Sequence, residues 1–215
     1  MNEKESIHLI IAIILLAIVI SFKEMVLDSN FLYFGIALLF SFIIILVNVT
    51  SKKVMAGWLD ASVEHRIWFW KRFGFKPHRH LKKEIPLGAI IPLIFSAFSL
   101  GFIKIMSILT YETSALKRRA ARRQGYYSYT EMTDFHISLI GAAGILGVLV
   151  LSFISYWFQP LEELARIAAF YAFWNMIPVS KLDGTHILFG SKVIWTILAA
   201  ITLVFTIFAI LLGFY

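Results

Sequence analysis

Among long apolar runs the chain carries FWNMIPVSKLDGTHILFG, Phe173–Gly190, a stretch with an Asn, a Pro, a Lys, an Asp and a His. An ionisable side chain at membrane depth costs about 2.5–3.5 kcal/mol on insertion scales, so a carboxylate placed there needs a task or a partner. Asp183 is the residue that raises the question. Pro178 breaks the helix ahead of it, because proline has no amide hydrogen and its ring clashes one turn back. Gly184 permits a turn that other residues resist, and Asn175 can bridge backbone groups freed by the break. On this reading a carboxylate is mounted on a broken helix. The other reading of the same residues is a polar turn outside the membrane, with Lys181 and Asp183 solvated.

The elements that position this stretch follow from composition. Of the 215 residues 60% are hydrophobic and 15% charged, whereas soluble domains sit near half apolar and a quarter charged. The expected class is an all-α integral membrane protein in the cell membrane. Cysteine is absent, which removes disulfides, thiolate metal sites and cysteine nucleophiles. The net charge of +7 fits loop orientation and anionic lipid at the basic loops. Nucleic acid is not an expected partner, although Trp68, Trp70 and Phe73 could stack on bases. Apolar runs at Ser6–Phe22, Phe31–Val49, His136–Phe158, Ile167–Val179 and Val193–Phe214 give five crossings. The mixed-charge flank MNEKE and the lack of a small-residue cleavage site argue against a cleaved signal peptide. Ile85–Tyr111 is interrupted by Pro86, Gly88, Pro92, Gly101 and Lys104 and lies between two basic clusters, Lys71–Lys83 and Lys117–Arg123. A simple crossing would split those clusters across the membrane, so a re-entrant or broken hairpin is expected. The amino terminus and both clusters are then cytoplasmic, and the carboxyl terminus is outside. Gly141, Gly144 and Gly147 mark a face that another helix can approach closely. The organisation is two amino-terminal helices in 1–50, a core in 51–190 and a last helix in 191–215.

The spacing Asn175, Pro178, Asp183, Gly184 reads N-x-x-P-x-x-x-x-D-G, with Leu182 before the Asp and HILFG after the Gly. This resembles the second signature of the site-2 proteases, intramembrane zinc metalloproteases. The resemblance covers roughly Val54 to Gly190 and implies that Asp183 is a zinc ligand and that Asn175 holds the helix break or a substrate strand. HISLIGAAGILG is similar to that family's Gly-Pro-x-x-Asn helix start, without the Pro and Asn. The family's other signature is H-E-x-x-H on a helix, where two His at i and i+4 bind zinc and the Glu activates its water. No such motif occurs in the chain. Its expected place is LDASVEHRIWFWKRFGF. If Glu64 stands for the catalytic Glu, the two His positions are Val63 and Ile67, and neither binds metal.

Zinc accepts His nitrogen and carboxylate oxygen, with three protein ligands and an open position in catalytic sites. His65, His136 and Asp183, each near the end of its expected helix, with Glu64 as base, make a chemically legal replacement. Adjacent helical residues point about 100° apart, which works against Glu64 and His65 facing one centre. His78 and His80 read as a solvated pair in a basic loop, His186 as a hydrogen-bond donor to backbone, and His8 as interfacial. No G-x-S-x-G elbow, P-loop or paired-Asp motif is present. Two functions follow. One is a non-catalytic homologue that keeps the broken helix and binds a transmembrane segment or protein partner without cutting it. The other is a divergent intramembrane zinc metalloprotease cleaving membrane-embedded peptides. The missing H-E-x-x-H favours the first, and the retained Asp-Gly signature the second; the sequence reading leans to the first. Replacing Asp183 by Asn is then expected to change nothing in a cleavage assay, there being no activity to lose, and to stabilise the fold by removing a charge from low dielectric.

Overall fold

The computed structural model describes residues 3–70, 84–116 and 132–212. The basic clusters Lys71–Lys83 and Lys117–Arg123, with His78 and His80, lie outside the described residues. In chain order the elements are α1 (Glu3–Val26), α2 (Tyr33–Trp58), β1 (Ala61–Ile67), α3 (Leu87–Phe98), β2 (Leu109–Ala115), α4 (Asp134–Tyr156), a 3-10 turn (Gln159–Leu161), α5 (Glu162–Met176), α6 (Asp183–Gly190) and α7 (Lys192–Leu212). Among the described residues, four helices, α1, α2, α4 and α7, are long and apolar enough to cross a membrane. The 24 residues of α1 extend about 36 Å, enough for a hydrocarbon core of about 30 Å. Their outward side chains, such as Ile10, Leu39, Phe42, Val150 and Val204, are exposed. In water they would form apolar patches beyond what soluble proteins show; against lipid they cost nothing. The chain is a mostly helical, membrane-associated protein.

Of the expected crossing Ile167–Val179, residues 167–176 form the last part of the 15-residue helix α5, which ends at Met176. The cause is Pro178. The residue before a proline is driven out of the α region, and Ile177 is extended, with φ −65° and ψ 127°. Pro178 also leaves the Trp174 carbonyl without its helical donor. Ser107 Oγ donates to that carbonyl at 2.9 Å, and Trp195 Nε1 donates to the Met176 carbonyl at 3.2 Å. Asn175, expected to bridge the freed groups, instead donates to Tyr171 inside its own helix at 2.8 Å. Gly184 also differs from expectation: it sits inside α6, and a Cβ there would collide with the Met176 carbonyl. It is required for close approach, not for a left-handed turn.

The fold is not purely helical. β1 and β2 form an antiparallel two-stranded sheet in which His65 pairs with Tyr111 and Glu64 with Glu112. Along β1 the residues Ala61, Val63, His65 and Ile67 are buried, while Glu64 and Arg66 are exposed, the two-residue period of a half-buried strand. The stretch Ile85–Tyr111 is a broken hairpin. α3 runs 12 residues to Phe98, the chain turns through Leu100 (φ 52°) and Gly101 (φ 82°), and the return arm comes back to β2. Its two ends meet at one place: Trp70 pairs with Ile85, and the Trp68 amide donates to the Ile108 carbonyl at 2.9 Å. Its tip lies against the backbone of Lys23 on α1, closely enough to exclude a Cβ at Gly101. Ile105 to Tyr111 on the return arm are all buried.

Candidate functional site

Among the described residues, the interior of the bundle holds a fully buried ion pair. Lys52, near the end of α2, places Nζ 2.6 Å from Oδ2 of Asp183, the first residue of α6, and each side chain is 1% exposed. Three elements build the pocket around it. The glycine face of α4 gives the Lys52 stem its room, since a Cβ on Gly144 would collide with it. Gly147 likewise leaves room for Ser51, and Gly141 for the Tyr111 hydroxyl, so the expected close approach is made by α2 and β2. From β2 the Tyr111 ring lies 4.7 Å from Lys52 Nζ, a cation–π contact. The Tyr111 hydroxyl donates to the Ile137 carbonyl at 2.8 Å. Burial first, and the Asp183 charge second, push the Tyr111 pKa well above its ordinary value, so it remains a neutral donor. The His186 ring is tilted against Tyr111 at 5.0 Å between centroids, and its Nε2 is buried without a partner.

One helical turn before Lys52, Asn48 is buried, and neither its amide nitrogen nor its oxygen has a hydrogen-bond partner. Asn48 and Lys52 stand at i and i+4 and so share a face of α2. Oδ1 of Asp183 is also buried and unpartnered. Buried polar groups are ordinarily satisfied; the Asn48 amide and Asp183 Oδ1 are exceptions to that rule.

A second polar group lies beside the first. Glu5 of α1 is bound by Lys53 at 2.8 Å and by His65 Nδ1 at 3.1 Å. Burial, and then the Lys52 charge, push the His65 pKa down to about 3 against the pull of Glu5. A neutral His65 donating from Nδ1 to Glu5 keeps its lone pair on Nε2, which has no partner.

The sequence-derived site residues fall as follows. Asp183 is buried, as expected of a residue with a role, but its partner is a cation on α2. His65 is buried on a strand and engaged by Glu5. Glu64 is also on the strand, not at a helix end; its side chain is exposed on the opposite face. Val63 and Ile67 are buried strand residues too, so the expected H-E-x-x-H helix does not lie there. His136 is in the first turn of α4, bonded to Thr133. Among the described residues no three His, Cys, Asp or Glu side chains are grouped to hold a metal ion. Asn175, Pro178 and Gly184 shape the break and the approach of α6 described above.

The residues missed by sequence reasoning are Asn48 and Lys52. Their signal was present: two polar residues four apart in NVTSK, inside the apolar helix that ends at Trp58. Closing that span at Val49 turned Lys52 into a flanking charge, when an ionisable residue inside a span is a site candidate by default. Compared with protein-family models, with curated proteins and with solved structures, the chain matches none.

Proposed function

We propose that the protein is a non-catalytic homologue of the site-2 proteases, in which a lysine ammonium takes the place of the metal ion. The observation that carries this reading is the 2.6 Å contact between Lys52 and Asp183. The resemblance makes Asp183 a zinc ligand and calls for two His at i and i+4 on a facing helix. Lys52 meets Asp183, and Asn48 precedes it by four residues on the same face of α2, so on this reading NVTSK stands where H-E-x-x-H belongs. Position 49, where the Glu would activate water, is Val. The ammonium supplies the positive charge that Asp183 needs, but it has no open coordination position. No bound water is brought to a pKa near 7, and peptide hydrolysis loses both its nucleophile and its base.

The same pair answers why the Asp-Gly stretch is kept without its metal motif. Lys52 is buried, and Asp183 is the carboxylate that neutralises it. The client on this reading is a membrane-embedded segment or a membrane-protein partner, held and not cut. The test is metal analysis of protein purified without chelator, together with a cleavage assay on membrane-embedded peptides. Zinc far below stoichiometric amounts and no cleavage are expected. Stoichiometric zinc lost on His65→Ala, His136→Ala and Asp183→Ala, with cleavage abolished by Glu64→Gln, would establish the rebuilt metalloprotease instead.

A further inference from the structure

Tyr33 and Lys52 are separated by about 28 Å along α2 at 1.5 Å per residue, and the Tyr33 end of the bundle carries a different site. There the end of α1, the hairpin return, the start of α5 and the end of α7 enclose a cavity of about 620 Å³ lined by Lys23, Glu24, Lys104, Glu163 and Arg166. Glu24 is engaged by Lys104 at 3.7 Å, and Glu163 accepts from the Tyr33 hydroxyl. Lys23 lies over the Phe102 ring at 5.3 Å, and Arg166 Nε is buried without a hydrogen-bond partner. Among the described residues neither Lys23 nor Arg166 has a carboxylate of its own, and the five charges leave one positive in excess. Arg166 is also a wall of a second, apolar cavity of about 310 Å³ between α4, α5 and α7, lined by Phe153, Tyr156, Trp157, Val204 and Phe208.

We propose that this end of the bundle binds one anionic glycerophospholipid, with its phosphate on Arg166 and Lys23 and an acyl chain in the apolar cavity. The two cavities share Arg166 and Ala209 as wall residues, so a cationic head site and an apolar tail site lie side by side. A guanidinium donates paired hydrogen bonds to phosphate oxygens. Tyr156 and Trp157, at the end of α4, are the residue types that sit at headgroup level. Glu24 and Glu163 line the same space; Lys104 lies 3.7 Å from Glu24, whose Oε2 has no hydrogen-bond partner, and Tyr33 donates to Glu163, so neither carboxylate is paired with Arg166 or Lys23. The inference does not depend on what Lys52 and Asp183 do.

The test is native mass spectrometry of the delipidated full chain in mild detergent, titrated separately with dioleoylphosphatidylglycerol, dioleoylphosphatidylcholine, dioleoylglycerol and inorganic phosphate. Phosphatidylglycerol should be retained at one per chain, and more strongly than phosphatidylcholine or dioleoylglycerol. Arg166→Gln and Lys23→Gln should each weaken its retention about fivefold, the equivalent of about 1 kcal/mol per cation. Inorganic phosphate in millimolar excess should leave the lipid in place. Neither substitution breaks an ion pair among the described residues; should Arg166→Gln fail to fold, Lys23→Gln carries the same test. Retention unchanged in the folded variants, dioleoylglycerol bound as firmly as phosphatidylglycerol, or displacement by inorganic phosphate would overturn the proposal.

Discussion

Replacing Lys52 by Met tests the centre of the molecule. Lys52 and Asp183 are each 1% exposed and meet at 2.6 Å, so methionine, similar in length and apolar, removes only the charge. Breaking a buried pair from one side costs about 3–5 kcal/mol because the remaining charge is stranded. The stranded carboxyl has one escape, which is to take up a proton. Protonating an ordinary aspartate side chain at pH 7 costs about 4 kcal/mol, three pH units at about 1.4 kcal/mol each. That sets a ceiling near the middle of the expected range and gives it a pH signature. At pH 7 the variant should lose about 4 kcal/mol, or roughly 8–16 °C in melting temperature for a chain of this size. At pH 5 the loss relative to wild type at the same pH should shrink to between 1 and 2 kcal/mol, by the same per-unit cost. The double variant Lys52→Met/Asp183→Asn should recover most of the loss at pH 7, since removing both charges is often neutral. Thermal unfolding of the purified protein in detergent, followed by tryptophan fluorescence at both pH values, measures each quantity. A Lys52→Met protein as stable as wild type at pH 7, or a double variant no better than the single one, would refute the pairing.

Asp183→Asn alone should destabilise by a similar amount, contrary to the expectation drawn from a lone buried carboxylate. It strands the ammonium instead, and its deficit in the same melting assay should shrink as pH is raised, the reverse of Lys52→Met. His65, with a pKa lowered to about 3 by burial and then by Lys52, stays neutral while the unfolded chain takes up a proton below about 6.5. Its contribution is therefore whole above that pH and lost on the way down toward 3, at up to about 1.4 kcal/mol per unit; His65→Gln should flatten the melting profile in that window. Asn48→His/Lys52→His should gain zinc, with Asp183 as third ligand. Metal analysis should show that zinc lost again when Asp183→Asn is added, and no gain in zinc would mean that α2 does not present these positions to Asp183 in ligand geometry.

The apolar spans were legible because lipid imposes a simple rule: a helix of about 20 apolar residues. Ser6–Phe22 lies within α1, and Phe31–Val49 overlaps α2 but stops short of its end at Trp58. The broken hairpin was legible too, from the prolines and glycines in Ile85–Tyr111. Pro178 signals the break, and the same break ends α5 at Met176, where the apolar run along the sequence continues to Val179. β1 carried a period-two pattern, with Val63, His65 and Ile67 alternating with Glu64 and Arg66. Placed against the H-E-x-x-H motif, the same residues read as helical. The Lys52–Asp183 pair was out of reach for a different reason. Lys52 belongs inside the apolar interior only because a distant carboxylate meets it, and pattern along the chain does not report which distant residues meet.

On the proposed reading, positions 48 and 52 decide between two ways of holding Asp183. A zinc ion needs three donors and keeps an open place for water; an ammonium needs an acceptor and keeps none. Both supply positive charge at the start of α6, so the exchange removes the nucleophile while the helix break after Met176, the Ser107 and Trp195 bonds to its carbonyls and the glycine contacts of α4 have no reason to change. Once the lysine is present the carboxylate is held in place by it, because losing either one strands the other charge in the interior. The Asp-Gly stretch then persists for stability rather than catalysis. The order of a return matters: a histidine at position 52 without one at position 48 removes the ammonium before two imidazoles are available to hold a metal. Retention of Asn175, Pro178, Asp183 and Gly184 is thus compatible with a site that has lost its chemistry, and the buried lysine is the physical reason.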